Sequence, residues 1–165
     1  MKAKYLGHIV FYVKNLESSL GFYERILGWD RITSDTLSFN AAALSSGRTH
    51  HELLLIEVGD APKKPAGRRI GFYHAAFKIG DTIAELKSAY TDLMKYGVDI
   101  IGTSDHTVSK SIYLLDPDGN EIELYIDDPK YDWKSDPKLV LSPIKPLSLE
   151  YQPTKGLSIL EPLGE

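Results

Sequence analysis

The stretch GHIVFYVKNLESSLGFYERILG, residues 7–28, decides the fold because YHAAFKIGDTIAELKSAYTDLM, residues 73–94, follows the same pattern. Both stretches carry a histidine at the second position, then an alternating apolar run, an Asn or Asp, and an amphipathic helical pattern. The two histidines, His8 and His74, are 66 residues apart, and the other matched positions keep this offset. Self-similarity of this kind indicates an internal repeat. The chain is therefore predicted to fold as the same unit twice.

Each copy begins with a predicted strand that has one apolar face. In the first copy Ile9, Phe11 and Val13 share one face, and His8 lies on the other. The strand of the second copy repeats this arrangement around His74. We expect the apolar faces to pack in the core and both histidines to point away from it.

A helix and further strands follow in each copy. Asn15 is the predicted N-cap of the first helix, and Asp81 or Thr82 that of the second, where Thr82 and Glu85 have capping-box spacing. Short strand-like runs come next, namely ITSDTLSFNAAALSS and HHELLLIEV in the first copy and DIIGTSD, KSIYLL and EIELYI in the second. The predicted unit is one strand, one helix and about three further strands.

The repeat defines the predicted domain organisation. Residues 1–126 form one domain, with a first module at about 5–58 and a second at about 72–126. The linker, 59–71, is rich in Pro, Gly and basic residues, which is typical of an exposed connector.

The C-terminal stretch, 127–165, holds six of the nine prolines and shows neither helical nor strand periodicity. We expect an extended tail that wraps on the domain or becomes ordered only in an oligomer. Trp133 indicates that this tail docks on a surface.

Composition narrows the class of protein. A chain of 165 residues that is 42% hydrophobic can bury one good core, and its net charge of −4 gives no general attraction to nucleic acid or anionic membranes. No apolar run is long enough for a membrane span or a signal peptide, so we expect a cytoplasmic protein that acts on small molecules. The chain has no cysteine, so any metal must be held by carboxylates and by the five histidines, His8, His50, His51, His74 and His106.

Three residues are candidate metal ligands. His8 and His74 lie on the same face of equivalent strands, so the repeat predicts that they point toward one shared concavity. In SIYLLDPDGNEIELYI, residues 111–126, Glu123 also lies opposite its strand's apolar set. Two imidazoles and one carboxylate resemble the facial triad that holds Fe(II) or another octahedral divalent ion. The 66-residue offset also places Glu57 opposite Glu123, which leaves a four-ligand set open.

These residues lie in motifs that resemble a known family, the vicinal oxygen chelate superfamily. It includes glyoxalase I, fosfomycin and bleomycin resistance proteins, methylmalonyl-CoA epimerase and the extradiol dioxygenases. The motifs GHIVFYVKNLESSLGFYERILGW, GFYHAAFKI and SIYLLDPDGNEIELY carry the resemblance, which covers residues 7–126. It implies an α+β fold in which paired βαβββ modules form a cup around a metal.

Within that superfamily the chain looks most like a single-domain form of the catechol 2,3-dioxygenases. The resemblance implies Fe(II) held by His8, His74 and Glu123, with Mn, Ni, Co or Zn as alternative metals. THHELLL resembles the strand that brings a histidine, here His51, toward the oxygen site. SDHTVSKSIYLLDPDGN resembles the stretch with an acid/base histidine and a diol-binding tyrosine. These would be His106 and Tyr113.

The resemblance implies degradation of an aromatic diol with dioxygen, in a homodimer whose cup is built from one chain or from two. Val10, Tyr12, Leu53, Leu55 and Tyr125 are expected near the cup. Two alternatives stay open, a glyoxalase I- or epimerase-like isomerase with a metal-bound glutamate base, and a non-catalytic binding protein of the bleomycin-resistance kind. Fosfomycin resistance is disfavoured because the cup-forming strands show no basic cluster for a phosphonate.

Overall fold

The chain folds as two βαβββ modules in a computed structural model, which describes residues 2–63, 65, 67–68 and 70–150. The elements are β1 (Ile9–Val13), α1 (Leu16–Leu27), β2 (Asp30–Ile32), β3 (Ala41–Ser45), β4 (Leu53–Glu57), β5 (His74–Gly80), α2 (Ile83–Lys95), β6 (Ile100–Asp105), β7 (Ser109–Leu115), β8 (Glu121–Asp127) and β9 (Lys145–Pro146). The α+β class and the repeated unit predicted from the sequence are both confirmed.

Each module forms its own mixed sheet. The strand orders are β1-β4-β3-β2 in the first module and β5-β8-β7-β6-β9 in the second. The first strand of each module pairs in parallel with the last, while the other pairs are antiparallel. As a result, β1 and β5 lie at the edges of their sheets, and the histidine that opens each repeat lies at or just before an edge strand.

The two helices begin at the predicted caps. The Asn15 side chain accepts a hydrogen bond from the Ser18 backbone, and Thr82 and Glu85 form a complete capping box. Gly28 ends α1 in the left-handed conformation that favours glycine, with φ of 66°. Each helix packs against the sheet of its own module.

One face of each sheet supplies the core. In the first module the register pairs Phe11 with Leu55, and both side chains are buried on the side of the sheet that α1 covers. Leu53 and Leu55 are fully buried there, so the prediction that they line the cup is wrong. The opposite face of β1 is open, and Val10 and Tyr12 are 44% and 71% exposed on it.

Buried contacts join the two modules. The Tyr23 hydroxyl on α1 donates to Asp116 Oδ2 at 2.7 Å, and both side chains are buried. Asp116 also accepts hydrogen bonds from the backbone of the DPDGN turn that precedes β8. Nearby, the Trp29 ring packs edge-to-face on Phe77 with centroids 5.4 Å apart. The helix side of the first module is thereby fixed to the turn that leads into β8.

The C-terminal segment covers the outer edge of the second sheet. After a 3-10 helix, Pro137–Leu141, the short strand β9 pairs with β6, and the Thr103 hydroxyl donates to the Leu147 carbonyl. Leu149 is buried in the core, whereas Trp133 is 45% exposed. The tail prediction for residues 151–165 lies outside the described residues. No helix in the described part of the chain is long and apolar enough to cross a membrane.

Replacing Tyr23 by Phe tests the link between the modules. The change removes the hydroxyl that satisfies Asp116, so the free energy of unfolding should fall by about 1.5–3 kcal/mol, the usual range for a hydrogen bond to a charged group. Chemical denaturation would measure it. Tyr90→Phe is the matched control, because the Tyr90 ring packs against the core in the second module. Equal stabilities for the two variants would contradict the assigned role of the Tyr23 hydroxyl.

Candidate functional site

The candidate site in the second module is built on β5 and β8. Their parallel register places His74 beside Glu121 and Ala76 beside Glu123 on the face away from the core. The Nε2 atom of His74 lies 3.0 Å from Glu123 Oε2, and its Nδ1 atom lies 3.5 Å from Glu121 Oε1. Two carboxylates therefore flank one imidazole, one at each ring nitrogen.

Glu123 is only 9% exposed, which is unusual for a strand glutamate. Its Oε1 atom accepts a hydrogen bond from the Ser111 hydroxyl on β7 at 2.5 Å, while its other oxygen faces His74. A buried carboxylate needs partners of this kind to offset its lost hydration. Glu123 thus belongs to a buried polar cluster rather than to a wet surface.

His106 and Tyr113 extend this polar cluster. The His106 Nε2 atom and the Tyr113 hydroxyl are 2.7 Å apart, and the Tyr113 ring centroid lies 5.8 Å from that of His74. Burial, followed by the nearby charge of Glu123, raises the pKa of Tyr113 above its usual value. Its hydroxyl is therefore protonated at neutral pH and can donate a hydrogen bond.

A tight loop between β6 and β7 holds His106. Thr107 has a φ of 72°, which is rare for a β-branched residue, and its backbone N–H donates to Asp105 Oδ1 at 2.7 Å. Lys110 pairs with Asp105 and with Asp128, so the loop is tied to the end of β8. This backbone conformation is unfavourable for threonine, so the surrounding contacts must offset its free-energy cost. Strained residues of this kind are common next to functional side chains.

The first module carries a separate histidine cluster. The His51 ring lies 4.4 Å from the rings of both His8 and His50, and the Nδ1 atoms of His50 and His51 are 2.6 Å apart. Burial, with the positive charges that its two neighbours can carry, lowers the pKa of His51. A neutral imidazole of this kind can accept a proton or bind a metal.

The predicted ligands are only partly brought together within one chain. His74 and Glu123 are in contact, but His8 lies with His50 and His51 in the other module. Among the residues that the structure describes, no three His, Cys, Asp or Glu side chains are grouped so that they could hold one metal ion. Within the described residues, a single chain therefore holds the predicted ligands in two separate groups, the two predicted half-sites, and His51 belongs to the group that lacks His106 and Tyr113.

Glu57 is not the counterpart of Glu123, which removes the symmetry argument for a four-ligand set. Its carboxylate accepts hydrogen bonds from the Leu16 backbone at 2.8 Å and from Asn40 at 3.1 Å, so it holds the start of α1. The sheet registers pair Leu54 with Val10 and Glu123 with Ala76. The two modules thus differ by three residues between these strands, and Leu54 occupies the place of Glu123.

Sequence analysis assigned no specific role to three polar residues of the site, Glu121, Ser111 and His50. Glu121 shares a strand face with Glu123, and that alternation was the signal that could have identified it. Ser111 and His50 had no comparable signal, because their roles depend on the distance between neighbouring strands and on the conformation of the loop before β4.

The His74 and Glu123 atoms fit neighbouring positions on one divalent ion. Metal–ligand bonds of about 2.1 Å that meet at a right angle place two ligand atoms about 3.0 Å apart. The Nε2 and Oε2 atoms have this separation, 3.0 Å. One imidazole and one carboxylate suit Fe(II), Mn(II) and similar ions.

Comparison with known proteins gives a consistent family. A family model described as the Glyoxalase/Bleomycin resistance protein/Dioxygenase superfamily matches residues 5–124. The catechol-2,3-dioxygenase of Bacillus subtilis (strain 168) is 34% identical over 132 residues, which cover 80% of this chain and 45% of that protein. The metallothiol transferase FosB of Staphylococcus haemolyticus is 30% identical over 126 residues, 74% of this chain and 83% of the transferase. This chain thus spans less than half of that dioxygenase.

A solved structure has the same fold. It is a variant of the fosfomycin resistance protein FosX from Listeria monocytogenes, complexed with Mn(II) and a dihydroxypropylphosphonic acid. The TM-score is 0.62 at 19% sequence identity, over 78% of this chain and 96% of that chain. At this identity the likeness shows the fold alone.

Glu57→Gln tests whether this residue acts on α1. The backbone N–H of Leu16, followed by Asn40, lowers the pKa of Glu57 below its usual value of 4.5. The charged form therefore stabilises the fold above about pH 4.5, and this contribution is lost as the pH falls through the lower folded-state pKa. Glu57→Gln should lower the melting temperature at about pH 7 and have little effect at about pH 3.

Thermal unfolding at both pH values would measure this effect. Asp35→Asn is the control, because Asp35 is exposed in the loop between β2 and β3. An unchanged melting temperature at neutral pH would show that Glu57 has no such role.

Proposed function

This chain belongs to the glyoxalase/bleomycin resistance protein/dioxygenase superfamily, and from that premise we propose that it is an Fe(II)-dependent extradiol dioxygenase. Its substrate would be a catechol-type aromatic diol, cleaved with dioxygen. The observation that carries the proposal is the His106–Tyr113 pair, 2.7 Å apart, beside His74 and Glu123. A general acid/base beside a hydrogen-bond donor is what proton transfer to and from a diol requires.

The metal would be held by residues of two chains. His74 and Glu123 of one chain supply two ligands, and His8 of a second copy supplies the third. Support comes from the edge strands β1 and β5, and from the open face where Tyr12 and Tyr73 are 71% and 69% exposed. Pairing two copies would cover these aromatic side chains and bring the half-sites together.

Each side chain has a defined task in this proposal. The chemistry that Fe(II) supplies when bound is chelation of both diol oxygens, their deprotonation and electron transfer to dioxygen. Tyr113 donates a hydrogen bond to a diol oxygen, and His106 takes up a diol proton and later returns it. His51, which is neutral near pH 7, lies on the His8 side of the assembled cup. Both atoms of dioxygen end in the ring-opened semialdehyde acid.

A metal-dependent thiol transferase is the second candidate. It is favoured by chain length, because this chain spans 83% of FosB but only 45% of the dioxygenase. It is disfavoured by charge, since the lysines of β5 and β7, Lys78 and Lys110, are already paired with aspartates. Beside His74 stand two carboxylates, Glu121 and Glu123, which would repel an anionic phosphonate. The isomerase alternative is weakened because the Glu57 carboxylate, one candidate for its metal-bound base, is hydrogen-bonded to the start of α1.

A direct assay tests the proposed reaction. The protein is loaded with Fe(II) without oxygen, mixed with catechol or 2,3-dihydroxybiphenyl, and exposed to air while absorbance and oxygen are followed. One dioxygen consumed for each diol, with a yellow product, is the expected result. Bound iron with no oxygen uptake, together with thiol transfer in the presence of Mn(II), would instead favour the second candidate.

Tyr113→Phe should lower kcat/KM for the diol by about 10- to 100-fold. This loss corresponds to about 1.5–3 kcal/mol for a hydrogen bond to a charged group. Fe(II) content should stay unchanged, because Tyr113 is not a proposed ligand. The matched control is Tyr90→Phe, a similarly half-buried tyrosine on α2 whose ring packs against the core. Equal activity of the two variants would contradict the assigned role of Tyr113.

Complementation tests whether the site is shared between chains. His8→Ala and His74→Ala should each abolish activity and Mn(II) binding. Co-refolding an equal mixture should restore about a quarter of wild-type activity, since half of the dimers are mixed and each has one intact site. A site within one chain would give no recovery, because every chain in the mixture lacks one ligand.

A further inference from the structure

Glu121 stands at the ring nitrogen of His74 that Glu123 does not reach. Its Oε1 atom lies 3.5 Å from His74 Nδ1, whereas Glu123 faces Nε2. The Nδ1 atom is buried, and no hydrogen bond from the described part of the chain reaches it. Glu121 is therefore the acceptor nearest to Nδ1. A movement of its carboxylate by a few tenths of an ångström would let it accept a hydrogen bond from the Nδ1–H group.

The backbone fixes this arrangement. Glu121 is the first residue of β8 and is paired in register with His74, the first residue of β5. The preceding turn is closed by Asp116, which accepts hydrogen bonds from the backbone of Asp118 and Asn120 at 2.9 and 2.7 Å. These hydrogen bonds hold the backbone at the start of β8 in place, and with it the Cα atom of Glu121.

Tyr73 lies beside both His74 and Glu121. Its ring packs against His74 with centroids 4.6 Å apart. Interaction with the Glu121 carboxylate, followed by burial, raises the pKa of Tyr73 above its usual value. The side chain of Glu121 is only 18% exposed, which limits competition from water.

We propose that Glu121 is a positioning residue that accepts a hydrogen bond from the Nδ1–H of His74 and leaves Nε2 free for a metal ion. This inference rests on the metal site of the proposed function. Metal-binding histidines usually donate their other ring N–H to a carboxylate or carbonyl, which fixes the tautomer and raises the basicity of the ligand. Glu121 and Glu123 thus have different tasks although they share one strand face.

The position of Glu121 explains why it is not itself a ligand. An ion bound at Nε2 lies on the far side of the imidazole from Nδ1, so a carboxylate beside Nδ1 cannot reach it. Glu123 is two residues along β8, a distance of about 6.6 Å, and this places it at the correct nitrogen. Because side chains alternate along β8, one strand face supplies both a metal ligand, Glu123, and the residue that orients His74, Glu121.

Metal affinity measured on matched variants tests the inference. Mn(II) is titrated into the full-length protein, and the free ion is quantified by electron paramagnetic resonance. Glu121→Ala should weaken Mn(II) binding by about 10- to 100-fold. Glu121→Gln should lose less Mn(II) affinity, since its amide oxygen still accepts a hydrogen bond. Tyr73→Phe should lower Mn(II) affinity by only a few-fold. Glu17→Gln, an exposed glutamate on α1, is the control.

A spectroscopic signature separates positioning from a general structural effect. In the Co(II)-loaded protein, the His74 Nδ1 proton should give a shifted, exchangeable NMR signal. It should persist in wild type and Glu121→Gln and vanish by exchange with water in Glu121→Ala. Wild-type affinity and a persistent signal in Glu121→Ala would overturn the inference and leave the metal site standing. Absence of Mn(II) binding in wild type would overturn the metal site, and the inference with it.

Discussion

The parallel pairing of β5 with β8 is the constraint on which the site depends. It aligns His74 with Glu121 and places Glu123 one step further along the same face. A shift of one residue would turn every side chain of β8 to the opposite face and bury both carboxylates among the core leucines. The hydrogen bond between Tyr23 and Asp116 stabilises this register, because it fixes the turn before β8 to the other module.

The sequence predicted the fold well because its signals are local. Strand alternation and helix caps depend on near neighbours, the 66-residue repeat shows them twice, and all agreed with one another. The equivalence of Glu57 with Glu123 does not hold, because it extended the offset of the first strand and helix to the last strand. Three additional residues lie between them in the second module, so the repeat changes register before Glu123. Only the strand pairing itself reveals that change.

The way the two modules pack against each other accounts for the separation of the half-sites. Trp29 and Phe77 pack the helix side of one module against the sheet of the other, and in the described part of the chain β1 and β5 each have a strand partner along one edge only. Sequence symmetry predicts that two histidines face a common space, but it cannot say whether one chain or two enclose it. The proposed pairing of two copies resolves this, since it joins the histidine cluster of one chain to the carboxylate-bearing polar cluster of another.

Native mass spectrometry of the protein titrated with Mn(II) tests this central claim most directly. A site shared between chains predicts that Mn(II) appears only on the dimer, with two ions in each fully loaded dimer, and that the monomer peak carries none. A monomer that binds one ion as tightly as the dimer would contradict the account. In that case the ligands of a single chain must rearrange around the metal, and the two half-sites would not represent the functional state.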